Sequence, residues 1–181
     1  MKARGWKTMT LLDAPVFDEA REKRKLMIGY SAAAGLVVLF ILWWILAGRP
    51  VDWPWRWNSH LFGRMAINRF MNDIEKNDLE GAYGVWVHDK NWQQHPPRGA
   101  NSFERFKEGW DPKSPDAEYP AVIHSHRIAS DRIYGNVLLV AILINGAKQN
   151  ALDLTYDPKT GQLSYAPPGV RLSTDPWKVI P

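Results

Sequence analysis

Residues 133–156 read IYGNVLLVAILINGAKQNALDLTY, and the class of the fold follows from how this stretch is parsed. Ile133 to Ile144 ends in an unbroken apolar run, the pattern of a central strand covered on both faces. Asn145-Gly146 is the strongest hairpin signal in the chain, because both residues tolerate the positive φ that a tight turn requires. Gln149 to Tyr156 then predicts a strand with Leu152, Leu154 and Tyr156 on one face and Asp153 and Thr155 on the other. Asp157-Pro158-Lys159-Thr160-Gly161 reads as a second turn, leading to a short strand at Gln162 to Ala166, and Pro167-Pro168-Gly169 ends the sheet. Upstream, Tyr119 to Ala129 predicts a first, less clearly alternating strand, with Ser130-Asp131-Arg132 between it and the apolar one.

Before the strands the period changes to that of helices. Phe62, Ala66, Ile67, Phe70, Met71 and Ile74 recur at three- and four-residue spacing within 59–76, which marks one buried helical face. Asn77 with Glu80 resembles a capping box opening a second, brief helix that carries Leu79, Ala82, Tyr83 and Trp86. Glu104 is placed to cap a third helix beginning after Asn101, with Phe103, Phe106 and Trp110 as its apolar stripe. Helices that precede strands, joined by proline-rich connections, predict an α+β roll: helices on one face of a meandering antiparallel sheet.

Leu26 to Ala47, LMIGYSAAAGLVVLFILWWILA, has no ionisable group except the Tyr30 phenol. As a helix, its 22 residues would span roughly 33 Å, enough to cross a hydrocarbon core of about 30 Å. The run is too long for the apolar region of a cleaved signal peptide, so it reads as an uncleaved anchor. Arg21, Lys23, Arg24 and Lys25 crowd its N-terminal end, which predicts a cytoplasmic N-terminus and an outer C-terminal domain. Trp43, Trp44, Trp53, Trp55 and Trp57 are predicted to lie in the membrane interface, where amphipathic indoles are favoured. Within the helix, Gly29, Ser31, Ala33 and Gly35 are small residues at a spacing that would let another helix approach closely.

Composition excludes several classes. The chain of 181 residues is 45% hydrophobic and 23% charged, as a folded protein is, and it lacks cysteine, so it has no disulfide, thiolate metal site or cysteine nucleophile. Its net charge of +4 comes mostly from residues 1–25, where seven Lys and Arg face four acids. That is a cluster beside an apolar run rather than a patch on a globular face, and it does not predict nucleic-acid binding. No phosphate-binding Gly-rich loop, nucleophile elbow or His-Glu-x-x-His motif is present.

Phe70 and Met71, followed by Asn77-Asp78-Leu79-Glu80-Gly81-Ala82-Tyr83, a helix and a four-strand meander, resemble the nuclear-transport-factor-2-like (cystatin-like) superfamily over residues 59–168. The resemblance implies a cone-shaped roll whose enzymatic members work with an Asp, His or Tyr inside the cone. The residues that could be so placed here are Tyr83, His88, His124, His126 and Tyr134; the expected ligand pocket is lined by Tyr83, Trp86, His124, His126 and Tyr134, with His124 and His126 on one strand face. The imidazole pair has no acidic neighbour in sequence, so no metal site is predicted, and no catalytic residue and no cofactor are assigned.

The resulting layout is a cytoplasmic tail (1–25), a transmembrane helix (26–47), a Trp-rich interfacial strap (48–58), the α+β domain (59–168) and a C-terminal arm (169–181). The expectation is a non-catalytic, single-pass accessory or assembly subunit of a larger complex in the bacterial inner membrane, with a periplasmic domain. Its partners would be the lipid bilayer and integral membrane subunits, contacted through an outer domain that serves as a docking surface. The alternative is a domain that binds a small apolar ligand in its cone, with isomerase- or hydrolase-like chemistry.

Overall fold

The computed structural model describes residues 18–97, 102–115, 117, 119, 121–147 and 151–173, in two compact units that divide after Trp43. The first is the body of helix α1 (Glu19–Leu46), whose start is capped by the Asp18 carboxylate, accepting from the backbone N–H groups of Ala20 and Arg21 at 3.1 and 3.1 Å. Its large apolar side chains are exposed along its length, Leu36 at 68% and Leu39 at 63%. Ser31 returns its hydroxyl to the Ile28 carbonyl at 3.0 Å, which satisfies the group inside the helix itself.

The second unit is α+β. A 3-10 turn at Pro54–Arg56 leads into α2 (Trp57–Glu75), followed by α3 (Leu79–Trp86), α4 (Phe103–Trp110) and four strands, β1 (His126–Tyr134), β2 (Val137–Ile144), β3 (Leu152–Tyr156) and β4 (Leu163–Tyr165). The strands form an antiparallel meander in the order β1-β2-β3-β4. Strand β2 is the centre of the sheet: Leu138 to Ile144 are all buried, as the unbroken apolar run requires.

Several boundaries differ from the sequence expectation, each for a physical reason. Among the described residues no strand forms before His126, and Ser130-Asp131-Arg132 lies inside β1 rather than between strands; the turn is at Gly135-Asn136, within the run expected as one strand. The three polar residues stay in the strand because Asp131 has partners on α2, described below. Asn145 and Gly146 do adopt positive φ, 52° and 72°, but β3 starts only at Leu152, so they open a longer connection and not a two-residue hairpin. Asp78, and not Asn77, caps α3 by accepting from the Gly81 N–H at 2.9 Å, while Asn77 takes the left-handed φ of 58° that ends α2. Ser102 caps α4; Asn101 lies outside the described residues.

Helix α2 rests on the face of the sheet that presents Leu138, Val140, Ile142 and Ile144, packing Ile67, Phe70, Met71 and Ile74 into the core. The approach is closest at Gly63, where an added Cβ would sit 2.5 Å from Leu138 Cδ2 and 2.9 Å from Tyr156 Cδ1. Gly63→Ala is therefore expected to destabilise the domain by about 1–3 kcal/mol through overpacking, despite alanine's better helix propensity. A thermal melt of the variant checks this, and a rise in Tm would contradict the contact. The opposite face of the sheet, carrying Leu139, Ala141 and Leu143, is also buried. The chain after β4 returns to this side, where Ser130 Oγ donates to the Ser173 carbonyl at 2.7 Å and Ala166 N–H donates to the Asp153 carbonyl at 3.1 Å.

Candidate functional site

The aromatic residues fill the space between the helices and the sheet. Phe70 lies at ring-centroid distances of 5.4 Å from Trp86, 6.1 Å from Phe106 and 5.0 Å from Trp110, and Trp86 is 4.9 Å from Tyr165. Tyr83 is fully buried against Trp92 at 4.7 Å and Phe106 at 5.2 Å. Burial, reinforced by the nearby Glu104 charge, pushes its phenol above the ordinary tyrosine pKa and so favours the protonated form.

The five residues expected to line one pocket are not gathered. Tyr83 and Trp86 border an open groove of about 570 Å³ between α3, α4 and β4, shared with Arg105, Glu108 and Tyr165. Tyr134, 55% exposed, sits at the far end of β1 beside the Gly135 turn. His124 precedes the strand and is exposed, its backbone N–H donating to Asn145 Oδ1 at 2.8 Å, so it does not share a strand face with His126. His126 turns toward α2, with Nδ1 2.6 Å from Glu75 Oε1 and Nε2 3.2 Å from Asn68 Oδ1. The acidic partner that the local sequence lacks is supplied 51 residues away.

The densest polar cluster of the domain was not visible in the sequence. His60, on the buried side of α2, is 2% exposed; its Nδ1 is 2.6 Å from Asp131 Oδ2 and its Nε2 is 2.9 Å from Asp52 Oδ2. Arg64, one turn further along, donates from Nη1 to Asp131 Oδ1 at 2.8 Å. An imidazole can donate from both nitrogens only when protonated. Burial opposes the charge, but the hydrogen bonds and charges of Asp131 and Asp52 outweigh it and hold the His60 pKa above its ordinary value. Two cations and two carboxylates thus balance in one partly buried group.

A β-bulge aims Asp131 into this cluster. The register of β1 shifts between Ile128 and Ser130, so the helix-facing positions change from His126 and Ile128 before the bulge to Asp131 and Ile133 after it. Without that extra residue, Ser130 and Arg132 would face α2.

Asp52 ties the chain just after α1 to the domain. Trp57 Nε1 donates to the Asp52 carbonyl at 2.8 Å and Trp44 Nε1 to the Pro50 carbonyl at 3.1 Å, while Ala47 is fully buried and Gly48 sits against the Arg64 guanidinium. Of the five expected interfacial tryptophans, Trp57 is 6% exposed and faces inward, whereas Trp53 and Trp55 are 68% and 71% exposed and stack on each other at 5.1 Å. Trp44 is 36% exposed and Trp43 half-buried. Gly29 and Gly35 would each meet nothing within 4 Å if given a Cβ, so the small-residue side of α1 is open. No group of three or more His, Asp or Glu side chains placed to hold a metal ion occurs among the described residues.

No known protein family matches this chain, and neither a curated protein nor a solved structure is detectably similar to it.

Proposed function

We propose that this chain is a non-catalytic, single-pass accessory or assembly subunit of a larger membrane protein complex. In this reading α1 crosses a bacterial cytoplasmic membrane with residues 1–25 inside, and the α+β unit is a periplasmic docking domain of nuclear-transport-factor-2-like shape. The observation that carries it is α1 itself. Leu26, Leu36, Leu39, Phe40 and Leu46 are between 47% and 68% exposed, and none of the residues in its apolar window is buried. Each such side chain gains about 1.5–3 kcal/mol on leaving water, so the helix calls for an apolar surrounding that a bilayer supplies.

The docking role is supported by the filled interior. Phe70, Phe106, Trp110 and Leu138 are buried in the core between the helices and the sheet, where the ligand-binding alternative calls for an open pocket. A ligand-binding alternative would have to use the open groove beside Trp86 and Tyr165, which does not take in His124, His126 or Tyr134.

Extraction in mild detergent followed by native mass analysis should find the chain in stoichiometric company with integral membrane proteins; a free monomer or homodimer would overturn the subunit role. Because the chain has no cysteine, single-cysteine variants report orientation. In right-side-out vesicles Glu108→Cys, 56% exposed on α4, should react with an impermeant maleimide and Thr8→Cys should not until the membrane is opened. The reverse pattern would overturn the topology.

A further inference from the structure

The exposed side of α2 carries a feature that the buried side does not explain. Asn58, Phe62, Met65 and Arg69 follow one another at three- and four-residue steps and are all exposed, Phe62 at 53% and Met65 at 59%. The 3-10 turn Pro54–Arg56 runs directly into α2, so Trp55 continues the same stripe by one turn, with Trp53 stacked on it and Val51 98% exposed just before. An outward stripe of two tryptophans, a phenylalanine, a methionine and a valine is more apolar than a solvated helix face needs to be.

Charge identifies the occupant. Arg49, Arg56 and Arg69 are exposed on this segment and stripe, whereas the nearby carboxylate of Asp52 is turned inward onto His60. The outward surface is therefore cationic and aromatic, the combination that favours an anionic lipid headgroup layer. Chain continuity agrees: Val51 follows the last residue of the apolar run, Ala47, by four positions. The stripe is held in shape from behind, by the Trp57 indole on the Asp52 carbonyl at 2.8 Å and by His60 on the Asp52 carboxylate at 2.9 Å.

We propose that Val51, Trp53, Trp55, Phe62 and Met65, with Arg49, Arg56 and Arg69, form a surface by which the α+β unit lies on an anionic bilayer, α2 running along the headgroup layer. The inference rests on α1 being a membrane span. It extends the contact from a tryptophan strap to the domain's own first helix, and it removes Trp57 from that contact. A domain docked in this way would present a fixed side to partner subunits.

The test uses the full chain in vesicles of phosphatidylcholine and phosphatidylglycerol, with a nitroxide on one introduced cysteine at a time. Collision with oxygen, which concentrates in the bilayer, is compared with collision with a water-soluble nickel complex. Met65→Cys, which leaves Trp53, Trp55 and Phe62 in place, should favour oxygen, and Glu108→Cys on α4 should favour nickel. Adding Trp55→Ser and Phe62→Ser to the Met65→Cys chain should shift its label toward the nickel-accessible, aqueous pattern. A label at Leu39→Cys reports the span independently. If Leu39 is deep and Met65 is aqueous, the docking surface is overturned while the span stands. If Leu39 itself is aqueous, the reading of α1 fails and this proposal fails with it. A Met65 label shielded from both reagents would mean a protein contact, a partner or a second copy, and would overturn the lipid assignment.

Discussion

His60→Ala is expected to destabilise the α+β unit by about 3 kcal/mol, because it leaves Asp131 and Asp52 facing a void with only Arg64 to compensate them. For a unit of this size that corresponds to a fall in Tm of roughly 10 °C. The cost comes less from the two hydrogen bonds than from the stranded Asp131 carboxylate, whose side chain is 9% exposed. The same group makes stability depend on pH with a definite sign. The folded-state pKa of His60 lies above the ordinary value of 6.5, so its contribution is complete below about 6.5 and is lost as pH rises through the folded value. Melting curves of the full chain in detergent should therefore fall in Tm on going from mildly acidic to alkaline buffer, and His60→Ala should flatten that part of the profile. A variant that melts with the parent chain, or that keeps the parent's pH profile, would show that the cluster does not stabilise the α+β unit.

Phe70→Ala should cost about 3–5 kcal/mol, the range for removing a fully buried aromatic from a core that cannot collapse onto the gap. Collapse is resisted here because Phe70 is clasped by Trp86, Phe106 and Trp110, which come from two further helices. Near-ultraviolet circular dichroism should lose intensity along with the drop in Tm, since those rings would lose their fixed packing. Phe70→Leu, which keeps most of the volume, should recover more than half of the loss. If Phe70→Ala melted like the parent chain, the interior would be loosely filled and the pocket reading would regain ground.

Much of the fold was legible because hydrophobic periodicity is a local property. Of the expected helical stripe, Ile67, Phe70, Met71 and Ile74 became the buried side of α2, whereas Ala66 is half-buried and Phe62 faces outward at 53% exposure; the apolar run at Leu138 to Ile144 became the central strand. At β1 the boundary moved because a polar residue is satisfied from far away. Ser130-Asp131-Arg132 reads as a break between strands when taken alone, yet Asp131 belongs in β1 because His60 and Arg64 receive it from across the fold. In sequence His126 is half of an imidazole pair with no acid beside it, whereas Glu75 provides the acid from α2. His60 falls in step with the buried positions of its own helix, and only a partner 71 residues on distinguishes it from a packing residue.

The sequence by itself determined the order and type of the elements, helices before an antiparallel meander, and the presence of an apolar 22-residue run. These depend on period and length, which any stretch of chain carries within itself. The tertiary structure alone decided which tryptophans face outward, which carboxylate each histidine meets, and that Asp52 is drawn inward, leaving a cationic, aromatic outer stripe. Those outcomes depend on a single-residue bulge in β1 and on contacts between residues 51 and 71 positions apart, and neither leaves a local pattern to read.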